Sequence, residues 1–192
     1  MITATKTTVS VFSFTGFFLL FFNAAVFAQD VYLCVWRNPE RTMTKIFPDA
    51  KDYITVNDPI SPEQLMAIEK QTGFPLLPGQ RDKFQYFKMT DAAGKTIGII
   101  IAATQKGEYG AIEFVTGFDT SGVIKGIYVQ RSRERDQQFK DRTFLDQFIG
   151  KPINDYRKIR SLSSDATSVG KKAVIEGLIK EFVCYSEIIK NK

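Results

Sequence analysis

Apolar residues recur in pairs at helical spacing toward the end of the chain: Val174/Ile175, Leu178/Ile179 and Phe182/Val183, then Tyr185 and Ile188/Ile189. This spacing predicts a long amphipathic helix with Ile175, Leu178, Ile179 and Phe182 facing a core. Upstream the period changes. Residues 84–89 alternate apolar and polar, and residues 96–103 are almost wholly apolar, as expected of a central strand. Residues 111–118 and 123–130 flank Asp119-Thr120-Ser121-Gly122, a hairpin signal. Turns at Asp91-Ala92-Ala93-Gly94 and between Gly107 and Gly110 join the others. Four strands in an antiparallel meander follow, with the last helix lying on the sheet. The fold class is α+β: a β-meander packed against a long C-terminal helix and N-terminal helices.

The remaining pattern is helical or irregular. Residues 42–47 predict a short helix ended by Pro48. Ser61-Pro62-Glu63-Gln64 has a Ser cap, Pro in the first turn and Gln three residues after the cap, which opens a second helix. Leu65, Met66 and Ile68 are its buried face, and Gly73 and Pro75 end it. Arg131 to Arg142 is crowded with both charge signs and predicts a surface excursion, with Arg133 and Glu134 as a solvated pair. Phe144, Leu145 and Phe148 share one face of a short helix closed by Gly150. By spacing, Gly107 and Gly110 are turn residues, and Tyr109 and Phe114 are core.

The N-terminus reads as a targeting signal. Lys6 precedes an apolar run over residues 9–22, and Ala28, with Val26 two places earlier, fits a cleavage site before Gln29. As a helix that run spans about 21 Å, short of the roughly 30 Å hydrocarbon core. Extended to Phe27 it serves as an uncleaved anchor, the alternative reading. Residues 1–28 are thus a signal peptide or anchor, and residues 29–192 a single extracytoplasmic domain, periplasmic or exported.

Composition narrows the chemistry. The chain of 192 residues carries a formal charge of +5 and no histidine. There is no Ser-His-Asp or Cys-His pair, and no His-ligated zinc, haem or iron site. No Lys/Arg block points to nucleic acid. The two cysteines, Cys34 and Cys184, cannot form a four-Cys cluster. Outside the cytoplasm they either pair or remain two buried thiols. Any redox centre must be organic or borrowed, and no metal or catalytic residue is assigned.

Between a polar loop and the last helix lies Ser163-Ser164-Asp165-Ala166-Thr167-Ser168. Hydroxyls before an apolar-periodic run are helix caps. The same position suits an anion, because the first amides of a helix have no intrahelical acceptor. Both readings remain open from these six residues alone.

Four pieces, in order, resemble the FMN-binding domain of flavin-carrying subunits in the sodium-pumping NADH:quinone reductase and Rnf-type electron transport complexes. They are similar above all to the small standalone extracytoplasmic members. The first is Lys106-Gly107-Glu108-Tyr109-Gly110-Ala111-Ile112; the second is Asp119-Thr120-Ser121-Gly122-Val123-Ile124-Lys125-Gly126-Ile127. The third joins Ser132-Arg133-Glu134 with Phe144-Leu145-Asp146-Gln147-Phe148-Ile149-Gly150-Lys151. The fourth is Ser164-Asp165-Ala166-Thr167-Ser168, where the family has Ser-Gly-Ala-Thr. Phe47-Pro48-Asp49-Ala50 and the Ser61 helix resemble the leader region of the standalone members.

The resemblance implies a covalent FMN, bonded through its phosphate to Thr167 by an FAD:protein FMN transferase. It names Ser164, Asp165, Ala166, Ser168 and Glu134 as the other cofactor-binding residues, and membrane-associated or extracytoplasmic electron-transfer proteins as partners. It implies an electron carrier rather than a catalyst. Asp165 stands where the family has Gly, and Ser161 where it has Asp. The phosphate is expected over the amides near Ser168–Gly170, with Lys171 and Lys172 adding positive charge. Two alternatives are a flavin-free binding or scaffold module and a reductase with noncovalent FMN.

Overall fold

The computed structural model describes residues 39–164 and 166–190. The proposed signal, its cleavage site and Cys34 lie outside the described residues, as does Asp165. The elements run α1 (Pro39–Ile46), β1 (Asp52–Pro59), α2 (Pro62–Thr72), β2 (Lys83–Thr90), β3 (Thr96–Lys106), β4 (Ala111–Asp119), β5 (Ile124–Arg131), α3 (Arg142–Leu145), α4 (Tyr156–Ser161) and α5 (Val169–Cys184). The sheet has five strands in sequence order, each antiparallel to the next. It is the α+β meander that the pattern predicts, with one strand more. The additional strand, β1, pairs from Asp52↔Thr90 to Pro59↔Lys83 at the sheet edge. Only Asp58 of its eight residues is buried, so no apolar alternation marks it.

The Ser61 helix forms as its capping box requires. Ser61 Oγ accepts from the Gln64 amide at 3.2 Å, and Gln64 Oε1 accepts from the Ser61 amide at 3.0 Å. Gly73 ends it at φ 78°, a left-handed conformation that a side chain would strain. Ile68 is fully buried, but Met66 is 65% exposed and lies off the buried face.

Both faces of the sheet are covered. On one, α1 sets Ile46 and Phe47 into a furrow of Gly98, Gly117 and Gly126. A Cβ at Gly117 would stand 2.3 Å from Ile46 Cγ2, and one at Gly98 2.5 Å from Phe47 Cε1. On the other face α5 lies with Ile175, Leu178, Ile179 and Phe182 all 2% exposed or less, as expected. Phe182 meets Phe118 edge-on at 5.6 Å between ring centroids. However, α5 is not amphipathic. α2, α4 and the polar excursion wrap its outer side, so Lys180 and Glu181 are buried with the rest.

The excursion between β5 and α3 also departs from expectation. It has a buried face: Phe139 is fully buried in a single 3₁₀ turn, Gln138–Lys140. A Cβ at Gly170 would stand 2.2 Å from the Phe139 ring, so only glycine admits this contact.

Candidate functional site

The site is built where the polar excursion meets the first turn of α5. The cap is Ser168, in extended conformation (φ −135°, ψ 156°). Its Oγ accepts from the Lys171 amide at 3.3 Å, and its carbonyl accepts from the Lys172 amide at 3.1 Å. Thr167, just before the cap, is exposed. Ser164 is also exposed, and its hydroxyl donates to the Ser161 carbonyl at 2.8 Å. Ala166 is half-buried against the main core. Thus Ala166 anchors the segment inward while Thr167 presents its residue to solvent.

Glu134 is not half of a solvated pair. It is 6% exposed, and its carboxylate accepts from the amides of Glu108 at 3.1 Å and Tyr109 at 2.9 Å. A Cβ at Gly107 would stand 2.3 Å from Glu134 Oε1, so this glycine makes room for the carboxylate. Two amides at the two oxygens repay desolvation of the charge, and the interaction clamps the β3–β4 turn to the excursion. Tyr109 is not core either. It is 41% exposed, with the Arg135 guanidinium 4.8 Å from its ring centroid. Phe114 is core, as expected.

Two residues past Glu134, the excursion delivers a second carboxylate. Asp136 accepts from the Gln138 amide at 3.0 Å. That bond, the Ser168 hydroxyl and the charge of Lys171 hold its carboxyl below the usual range. The first turn of α5 therefore already has a negative neighbour. Lys171 Nζ donates to Gln138 Oε1 at 3.1 Å, and Lys172 pairs with Glu176 at 3.8 Å. The two lysines expected to face a phosphate are engaged locally, which the one-dimensional spacing could not reveal.

Beside this turn opens a cleft of about 400 Å³ lined by Gln138, Asp141, Thr143, Phe144, Gln147 and Lys171. Phe144 is its apolar wall, fixed edge-on to the buried Phe148 at 5.4 Å and overlain by Lys171 Nζ at 5.8 Å. Gln147 is oriented by its bond to the Phe144 carbonyl at 2.8 Å. An FMN fits these residues in part. There is an exposed hydroxyl for attachment, and one turn along there is an aromatic wall with amide side chains. Asp136 competes for the seat expected of the phosphate. Sequence reasoning missed Gln138, Gln147 and Asp136, because spacing along the chain gives no sign that these polar residues gather beside the first turn of α5.

No family model matches the chain, and no curated protein matches it. Among solved structures it is similar to NqrC of Shewanella oneidensis. They share 17% identity over 62% of this chain and 63% of that one, just under two thirds of its length, with a TM-score of 0.41. A likeness at this level says nothing about side chains. No helix among the described residues is long and apolar enough to cross a membrane.

Proposed function

We propose that this chain is an extracytoplasmic electron carrier that holds FMN on Thr167. The observation that carries the reading is the exposed Thr167, next to the cap of α5 and one turn from the Phe144 cleft. Ser164 and Ser168, the rival hydroxyls, are each bonded to or shaped around the backbone of their own turn. The ordered sequence pieces from Gly107 to Ser168 support the same assignment.

In this reading the Thr167 hydroxyl displaces AMP from FAD, catalysed by a separate transferase. Its oxygen bonds to the phosphorus of the FMN half, and its proton leaves to solvent. Bound FMN supplies one- or two-electron transfer. The chain's own part is to hold and shield it. Phe144 offers an apolar face, Gln138 and Gln147 offer hydrogen bonds at the rim, and Lys171 sets a positive charge beside them. Glu134 acts at one remove, fixing the β3–β4 turn against the excursion that bears these groups.

The test is intact mass of the exported protein produced with an FAD:protein FMN transferase. The wild type, Ser164→Ala and Ser168→Ala are expected to carry one FMN increment that survives denaturation, and Thr167→Ala none. An increment retained in Thr167→Ala would move the acceptor. Colour lost on denaturing the wild type would mean noncovalent binding. A colourless wild type made beside a competent transferase would leave Thr167 as part of a helix start and favour the flavin-free module.

A further inference from the structure

Two adjacent charged residues of α5 lie in the middle of the protein and meet opposite fates. Lys180 is 1% exposed, and its ammonium donates to Gln80 Oε1, the Thr104 carbonyl and Gln105 Oε1, each at 2.9 Å. All three acceptors are neutral and match its three protons. Glu181 is 0% exposed, and neither carboxyl oxygen has a hydrogen-bond partner. The facing polar group is Thr116 of β4, itself fully buried with its hydroxyl unpartnered. Thr116 stands between Ile101 and Ile127 on the neighbouring strands, both 0% exposed. An ionised carboxylate shut off from solvent here has the Thr116 hydroxyl beside it and no further donor facing it, which is too little to replace its hydration.

We propose that Glu181 is a pH-graded latch: it docks α5 on β4 as a neutral acid, and its ionisation loosens the helix from the sheet. Burial pushes its carboxyl well above the ordinary range; Thr116 and the Lys180 charge pull the other way without reversing it. The groups that act on it are Thr116 from the sheet and Lys180 from its own helix. Further along the helix come the buried thiol of Cys184 and then Tyr185, which responds to its own burial and to Asp119. Lys180 cannot swing to neutralise Glu181 without giving up all three of its bonds. The Thr104 carbonyl would keep Gln80 Nε2 at 2.9 Å and Gln80 Oε1 the Leu77 amide at 3.4 Å, but Gln105 Oε1 would lose its ammonium donor. Because the folded state binds this proton more tightly than the unfolded chain, the contribution is complete below the ordinary carboxyl value of 4.5. It is lost progressively as pH rises toward the folded value. The same helix begins at Ser168, so its loosening reaches the Gly170–Phe139 contact at the candidate site.

The experiment compares urea denaturation of the full chain, wild type against Glu181→Gln, from pH 5 to pH 8. Glutamine keeps the shape and removes the ionisation. The wild-type folding constant is expected to fall relative to the variant by up to about tenfold per pH unit, the linkage for one proton. Hydrogen exchange of the α5 amides, read as the ratio of the two proteins at each pH, is expected to rise in the wild type alone. A gap that stays constant across the range, or exchange ratios independent of pH, would overturn the latch. If Glu181→Gln does not fold, glutamate-selective carbon labelling of the wild type still decides. One glutamate side chain still protonated at pH 7 supports the latch, and all glutamates ionised at pH 7 refute it.

Discussion

The first turn of α5 and its middle carry the same residue types in opposite settings. Lys171 reaches one oxygen, on Gln138, at the rim of a cleft; Lys180 reaches three in a dry core. Glu176 sits on the more open side and pairs loosely with Lys172 at 3.8 Å, while Glu181 is fully buried and faces the Thr116 hydroxyl alone. Where solvent completes the hydration shell, one protein contact is enough for an ammonium. Where it does not, the protein must supply the whole shell. It does so for the lysine and leaves the acid to remain neutral. The helix thus runs from an adaptable end, suited to a ligand, into a fixed end that sets the packing.

The comparison breaks most readily at Lys180. Lys180→Ala empties the space of a buried stem and takes the ammonium from Gln105 Oε1, while the Thr104 carbonyl and Gln80 Oε1 keep other donors, for an expected loss of about 2–5 kcal/mol. Lys172→Ala at the other end should cost less than about 0.5 kcal/mol. Equal losses in urea denaturation would mean that the middle of α5 is not dry. Next, Leu178→Ala empties a fully buried site and should cost about 2–5 kcal/mol by the same measurement. Gly170→Ala, in the first turn itself, forces a methyl onto the Phe139 ring, with an expected cost of about 1–3 kcal/mol. A loss near zero would show that the excursion yields freely. At the adaptable end, Ser168→Ala deletes a cap and should cost about 1 kcal/mol. Thr167→Ala should change stability by less than about 0.5 kcal/mol while abolishing any covalent flavin, which thermal melts and intact mass would read separately.

The regular parts of this fold were legible because their patterns are local. The meander turns, the Ser61 capping box and the paired apolar spacing of α5 each lie within one element. The edge strand β1 was not legible, since only Asp58 of its eight residues is buried and it shows no alternation. Met66 was misassigned because three apolar residues in one turn cannot all face inward. At the candidate site, a hydroxyl-rich segment before a helix showed that a cap lies there, but not that it is Ser168 rather than Thr167, nor that Thr167 is left exposed. The inward turn of Glu134 and Phe139 could not, because each is held by distant partners, the β3–β4 turn and Gly170. The burial of Lys180 and Glu181 was hidden for a related reason. Periodicity assigns charges to a wet face, and only the packing of α2, α4 and the excursion closes that face.

The place of α5 in the chain has a consequence for how a nascent copy matures. Each strand of the sheet pairs with its predecessor, so hairpins can form as soon as they are made. Their α5-facing side, with Phe114, Phe118 and Ile127, lacks its main cover until residues 169–184 exist. A copy stopped at Gly150 would hold a paired sheet with a bare apolar side and is expected to aggregate rather than persist as a smaller fold. Maturation therefore waits on a stretch made after every strand of the sheet, and truncations that remove residues 169–184 should deplete the protein from cells far more than their length suggests.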